Sequence, residues 1–165
     1  MYKALAVALA LFLLALASGR KTIGVENYTA QFRKNAGQFA HSIAEMHAAI
    51  GQADPTDSQS IERAKQKLKD ARLAYKRIAF FLDYFFFTSS RIYNRPPRNE
   101  IEEPHLEYME PAGFQYIEAM LFEDAGKNKE AMLAQCRLLQ TAADDLPALL
   151  YQFEASDAQI LESCV

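Results

Sequence analysis

The chain has 165 residues, of which 50% are hydrophobic and 24% are charged, and its formal net charge is -3 at pH 7. This length is enough for one domain with a substantial apolar core. A mildly acidic chain without a basic stripe is a poor nucleic-acid binder, and its charge offers no attraction to anionic lipids.

The first 17 residues have the pattern of an export signal. Lys3 supplies the positive start, an apolar run covers residues 4–17, and Ala15-Leu16-Ala17 before Ser18 matches a small-residue cleavage site. The run is shorter than the ~20 residues that a membrane-spanning helix needs. We therefore expect cleavage after Ala17, a periplasmic or otherwise exported protein with no membrane contact after cleavage, and a mature domain of residues 18–165. An uncleaved membrane anchor is the alternative.

Two long helices are predicted next. Apolar residues in alternating steps of four and three predict an amphipathic helix from Phe32 to Ile50 that ends at Gly51. The same alternation continues over more than three heptads from Ile61 to Phe85. Residues 54–58 between them have the composition of a turn with helix N-cap candidates, so the two helices are expected to pack antiparallel.

The segment from Arg91 to Ala112 breaks the helical pattern. It contains four prolines and five glutamates: Pro96, Pro97, Pro104, Pro111, Glu100, Glu102, Glu103, Glu107 and Glu110. A long irregular stretch inside a compact domain is typically a functional loop or a disordered one. We therefore expect an irregular acidic loop here.

Two further helices follow this loop. Apolar spacing predicts a short buried helix from Phe114 to Glu123 and a longer one from Met132 to Phe153. Pro147 lies inside the longer one and removes a backbone donor, so we expect a kink, or a restart capped by Asp144 or Asp145. The sequence thus predicts an all-α, antiparallel helical bundle.

The C-terminal residues begin another helical pattern. Ser156 and Asp157 have the composition of an N-cap, and apolar residues follow until the chain stops at Val165. We expect the chain to be the front part of a longer protein and its bundle to be incomplete. A frayed natural terminus is the alternative.

Gln115 and Glu118 are polar positions on the otherwise apolar short helix. They lie three residues apart and therefore share a face. A buried carboxylate must be paired, hydrogen-bonded, metal-bound or neutralised. One interpretation is a metal site formed by Glu118 with His105, Glu102 and Glu103, because hard cations take several oxygen ligands and iron or zinc also accepts imidazole.

The alternative interpretation of the same residues is structural. In that case Glu118 pairs with an arginine such as Arg72 or Arg77, and Gln115 bonds a backbone group of the acidic loop. The residue types alone do not decide between a metal site and a polar bridge.

Other candidate groups are less specific. The aromatic run from Phe80 to Phe87 is typical of a helix end buried all round, or it lines a cofactor pocket. The cationic face of the second helix is either solvated or a docking surface. Cys136 and Cys164 are the two cysteines, and whether they pair stays open. The chain contains no C-x-x-C-H motif, so it lacks that means of covalent haem attachment.

Between Gly113 and Glu118 the chain resembles the imelysin-like family of exported helical-bundle proteins, whose signature is G-x-H-x-x-E. Gly113 matches the glycine, Glu118 matches the glutamate, and Gln115 stands at the histidine position. A neutral amide is a poorer metal ligand than imidazole. The resemblance nevertheless implies iron or another metal as a candidate ligand at this site.

A wider stretch is similar to the imelysin-like N-terminal extension of some exported di-haem cytochrome c peroxidases. The residues that carry this similarity are 71–77, 94–97, 100–103, 111–115 and 121–124. The similarity implies a non-catalytic N-terminal helical region. Haem c, peroxide reduction and electron transfer would belong to a C-terminal di-haem peroxidase domain in cis, with an electron-donor protein as a further partner. A stand-alone periplasmic metal-binding module and a docking bundle without a ligand are the alternatives.

Overall fold

The computed structural model of the protein describes residues 23–102 and 105–165, without the side chains of residues 23 and 99–107. The predicted export signal therefore lies outside the described residues. In the part that is described, the helices are α1 (Ile23–Gly51), α2 (Ser58–Phe85), α3 (Phe87–Asn94), α4 (Phe114–Asp124), α5 (Lys129–Asp144) and α6 (Asp157–Glu162), with a 3₁₀ helix at Leu146–Leu150. The strands are β1 (Arg98–Glu102), β2 (His105–Met109) and β3 (Ala112–Gly113). The chain is mostly helical, which confirms the predicted all-α helical bundle.

Helices α1 and α2 pack antiparallel, as predicted. Phe32 near the start of α1 contacts Phe81 near the end of α2, with ring centroids 4.5 Å apart, and Phe39 contacts Tyr75 at 5.5 Å. Asp57, in the turn between the helices, caps the N-terminus of α2, and its carboxylate accepts a hydrogen bond from the Gln59 backbone N–H at 2.9 Å. Helix α1 also packs along α5, so its apolar stripe forms the centre of the core.

The aromatic run at the end of α2 is only partly core. Phe81 is fully buried and packs against rings from α1 and from Phe153. Tyr84 and Phe87, however, are 44% and 62% exposed. The expectation of a helix end buried all round was therefore wrong, because the helical period places Tyr84 on the solvent side of α2 and Phe87 lies beyond the end of that helix.

The expected irregular loop is wrong over most of its length. Residues 91–94 belong to α3, and β1 pairs with β2 in an antiparallel register that sets Arg98 opposite Met109 and Ile101 opposite Leu106. Prolines flank these two five-residue strands, and strand pairing gives their backbone polar groups partners that a loop would lack. Backbone bridges from Asn94 to Gly113 and from Arg95 to Ala112 then bring the two ends of the segment together.

The helical structure is interrupted and restarts near Pro147, where the sequence predicted a kink or a restart. Helix α5 ends at Asp144, and Pro147 occupies the first turn of the 3₁₀ helix, where its missing N–H costs nothing. The expected side-chain cap by Asp145 is not formed. Ser156 does cap α6 and forms a capping box with Gln159, and the Asp157 carboxylate accepts the Val25 backbone N–H at 3.2 Å. Helix α6 is thereby joined to the start of α1.

Candidate functional site

The signature begins at a backbone position that only glycine fits. Gly113 has φ 62° and ψ -129°, which is a region that L side chains rarely adopt. A β-carbon there would overlap the backbone carbonyl groups of Ile92 and Tyr93. The Gly113 N–H donates to the Gln135 side-chain oxygen at 3.1 Å, so the turn into α4 is fixed from both sides.

A rigid aromatic cluster lies beneath this turn. Phe114 is fully buried, and its ring lies 6.1 Å from that of Phe39 and 5.8 Å from that of Tyr75. Tyr93 packs on the same two rings and donates its hydroxyl to the Ala142 carbonyl at 2.8 Å. Burial raises the pKa of Tyr75 and of Tyr93 above the ordinary value, so both stay neutral donors.

Gln115 is held by a side chain rather than by the loop backbone. Its amide Nε2 donates to the Asn94 Oδ1 at 3.1 Å across the junction between α3 and α4. The expected backbone bond was therefore wrong in its partner. Gln135, which does bond a backbone group of this region, lies 22 residues from Gly113 in sequence, and no local pattern points to it.

Glu118 forms an ion pair with Arg72, one of the two arginines expected for the structural interpretation. The Arg72 Nη1 donates to the Glu118 Oε2, and this joins α4 to α2. The pair is not buried, because 42% of the Glu118 side chain and 29% of the Arg72 side chain remain exposed. The buried face of α4 is formed by Phe114, Ile117 and Leu121, which leaves Glu118 at its edge.

The remaining candidate metal ligands lie in the β-hairpin. Glu102 and His105 are opposite each other in the strand register, but their side chains are outside the part that the structure describes, as is the whole of Glu103. The metal site that joins them to Glu118 stays a prediction. Among the side chains that are described, no group of three or more His, Cys, Asp or Glu could hold a metal ion.

The contacts of Gln115 and Glu118 bear on the metal that the resemblance implies at the signature, whereas haem c was expected only in a C-terminal domain. The Glu118 carboxylate is engaged by a guanidinium and the Gln115 amide by Asn94, so a metal at the signature would have to displace Arg72. Covalent haem c lacks its attachment motif in this sequence. Cys136 and Cys164 are both free thiols, the first buried and the second exposed. A metal at the signature would therefore have to compete with the Arg72 guanidinium for the Glu118 carboxylate.

An open groove runs between α2 and α4 beside the ion pair. This α2–α4 groove has a volume of about 640 Å³, and its lining includes Leu73 and Phe122, the cationic side chains Lys65, Lys69 and Lys76, the acid Glu62 and the Arg72–Glu118 pair. Leu73 and Phe122 are 51% and 62% exposed, and the Lys65 ammonium lies 4.7 Å from the Phe122 ring centroid. The cationic face of α2 that the sequence predicts thus includes apolar surface.

Comparison with protein-family models, with curated proteins and with solved structures gives no match to this chain. The imelysin-like resemblance therefore stays a prediction that rests on the residues named for it. Within residues 23–102 and 105–165, none of the helices has both the length and the apolar character of a membrane span.

Proposed function

We propose that the chain is the non-catalytic, exported helical region of a cytochrome c peroxidase-like protein, and that its imelysin-like signature serves the fold rather than a metal. The observation that supports the second part is that all three signature positions are engaged. Gly113 makes a turn that a side chain would block, Gln115 bonds Asn94, and Glu118 pairs with Arg72. The link to a peroxidase comes from the resemblance of residues 71–124. Peroxide reduction, electron transfer and haem c would lie in a part of the protein that follows residue 165.

The α2–α4 groove is the surface that we propose for contact with that part. Burial of the exposed Leu73 and Phe122 side chains against a partner would be favourable. Exposed apolar patches rimmed by polar groups typically mark interaction sites. Lys65 is paired with Glu62 at 3.1 Å, and the other lysines of the lining favour an acidic surface on the occupant by charge complementarity. A peroxidase domain attached in cis would meet this groove at a high effective concentration, so even a modest contact would be populated.

The first test is the reading frame downstream of Val165. We expect an in-frame continuation that contains C-x-x-C-H motifs, each of which attaches one haem covalently. A stop codon directly after Val165, or a continuation without these motifs, would contradict the peroxidase proposal. Neither result would bear on the proposal that the signature serves the fold.

The docking surface has its own test in the longer protein. We expect hydrogen exchange of the α2 amides at residues 65–76 to be slower there than in the 165-residue chain, and the double variant Leu73→Ser/Phe122→Ser to remove the difference. Tyr151→Ser/Leu161→Ser is the matched control, since these two side chains are 80% and 70% exposed on another part of the surface. Equal exchange in the longer and shorter proteins would reject the groove as the contact.

One observation favours a metal-binding module as the second candidate. The Glu118 carboxylate is 42% exposed at the groove, so a cation from solvent can reach it and compete with Arg72. Metal titration of the wild type and of Glu118→Gln separates this candidate from the first.

A further inference from the structure

A second cavity shares Arg72 and Lys76 with the lining of the α2–α4 groove. This basic hollow has a volume of about 310 Å³ and lies between α2, α3 and residues 95–98, with Phe114 of the signature helix in its wall. Five cationic side chains line it: Arg72, Lys76, Arg91, Arg95 and Arg98. Its volume is at the lower end of the range for small-molecule sites.

The charge of the hollow is opposite to that of the chain. The whole sequence has 21 acidic and 18 basic residues, whereas the lining of the hollow, among the side chains that the structure describes, contains five cations and one acid, Asp83. Cations held around one cavity repel each other, and a cleft with walls of low dielectric constant concentrates their field. A bound anion would relieve this repulsion.

Few acceptors among the described side chains engage the arginines of the hollow. Among the side chains that the structure describes, Arg72 is the lining cation with a carboxylate partner, Glu118. The Arg91 Nη2 donates to the Met109 sulfur at 3.3 Å, and the Arg95 Nε donates to the Glu110 backbone carbonyl at 3.1 Å. Both acceptors are neutral, and a guanidinium has five N–H donors, so these contacts position the arginines without neutralising them.

Aromatic side chains form part of the lining. Tyr75 and Phe114 belong to the buried aromatic cluster, and the Arg91 guanidinium lies 6.0 Å from the centroid of the Phe87 ring. Ring surfaces beside arginine forks suit a ligand with a flat apolar body and a carboxylate or phosphate group, which arginine binds through two parallel hydrogen bonds.

We propose that the basic hollow is a binding site for a small organic anion, with a carboxylate or phosphate group held by Arg91, Lys76 and Arg95 and an apolar body placed against the exposed ring of Phe87. The proposal stands on this cavity alone and is independent of the proposed link to a peroxidase.

The test is calorimetric titration of the purified protein with benzoate, phenyl phosphate and the neutral analogue benzyl alcohol at fixed ionic strength. We expect saturable binding of at least one anion with a Kd below about 1 mM, and none of benzyl alcohol at that concentration. Binding of benzoate alone or of phenyl phosphate alone would assign the site to carboxylates or to phosphates, respectively. Competition by inorganic phosphate against phenyl phosphate would show that the head group provides the affinity.

Two double variants locate the site. Lys76→Gln/Arg91→Gln removes two exposed cations of the hollow, and we expect it to weaken binding by about tenfold or more, since charge-assisted hydrogen bonds are lost. Arg63→Gln/Arg77→Gln removes the same charge from exposed positions of α2 that do not line the hollow, and should leave the Kd unchanged within about twofold. Absence of saturable anion binding by the wild type, or equal weakening in the two variants, would overturn the proposal.

Discussion

The two ends of the signature, Gly113 and Glu118, are held in different ways, although only four residues separate them. At Gly113 the backbone lies so close to the carbonyl groups of Ile92 and Tyr93 that no β-carbon fits, and fully buried Phe114 follows directly. At Glu118 the side chain is 42% exposed and makes one ion pair across to α2. The glycine is thus required by sterics, whereas the glutamate makes an interaction that solvent can partly replace.

The largest effect is expected at the glycine. Gly113→Ala should lower the free energy of unfolding by about 2 to 5 kcal/mol, because it adds backbone strain to an overlap with neighbouring carbonyls. Gly37→Ala is the matched control, since Gly37 lies in α1 with nothing within 4 Å of an added β-carbon. That variant should gain up to about 1 kcal/mol from helix propensity. Urea unfolding of both measures the contrast, and similar stability for the two variants would contradict it.

A smaller loss of stability is expected in the aromatic cluster beneath the turn at Gly113. Tyr93→Phe keeps the ring in the aromatic cluster but removes the hydroxyl that donates to the Ala142 carbonyl, so stability should fall by about 1 kcal/mol. Tyr151→Phe, at a position that is 80% exposed, should change stability by less than about 0.5 kcal/mol. If the two variants unfold at the same urea concentration, the hydrogen bond from Tyr93 to α5 contributes nothing to the stability of the protein.

A substitution at Glu118, the exposed end of the signature, should lower stability less than the changes at Gly113 and Tyr93. Glu118→Gln retains the shape and removes the charge, and we expect a loss below about 1 kcal/mol, because half-exposed ion pairs are weak. The loss should shrink further in about 1 M salt, which screens the pair. Glu123→Gln, an exposed change in the same helix, is the control. A loss of about 3 kcal/mol or more would mean that the pair behaves as a buried one and would remove the contrast with Gly113.

The smallest effect is expected for the two thiols, whose rates of chemical labelling depend on their burial. Burial raises the pKa of the Cys136 thiol to about 12, while Cys164 is exposed. A thiol reagent at pH 8 should therefore modify Cys164 and leave Cys136 unmodified until the protein unfolds. Above the ordinary thiol pKa of 9.0, the unfolded chain loses this proton while the folded one keeps it, so Cys136 lowers stability as pH rises towards about 12. Equal labelling rates for the two thiols in the folded protein would show that Cys136, on the core face of α5, is not buried.

The sequence predicted the elements that local signals specify. The bounds of α4 were predicted to within one residue, because Gly113 and the apolar spacing after it are both local. The hairpin was missed, although prolines flank its two strands, since pairing Ile101 with Leu106 is a contact between segments rather than a pattern within one. Helix α1 begins nine residues before the expected Phe32, where Asp157 from α6 accepts its Val25 N–H.

The site was predictable in its residues but not in its environment. Arg72 was named as a partner of Glu118 because an acid on an apolar helix needs a cation. The exposure of the pair was not foreseen, since the identity of the helices that cover each face of α4 is set by tertiary packing. For the same reason Gln135 could not be predicted as the acceptor for Gly113, nor could the five cations of the basic hollow be predicted to surround one cavity.

Calorimetric titration of the protein with ferrous, zinc and cupric ions, under anaerobic conditions for iron, tests most directly whether the signature serves the fold. We predict no saturable binding with a Kd of about 1 μM or tighter. Binding of that affinity by the wild type, abolished in a Glu118→Gln variant of undiminished stability, would contradict the account and assign Glu118 to a metal site with ligands from the hairpin.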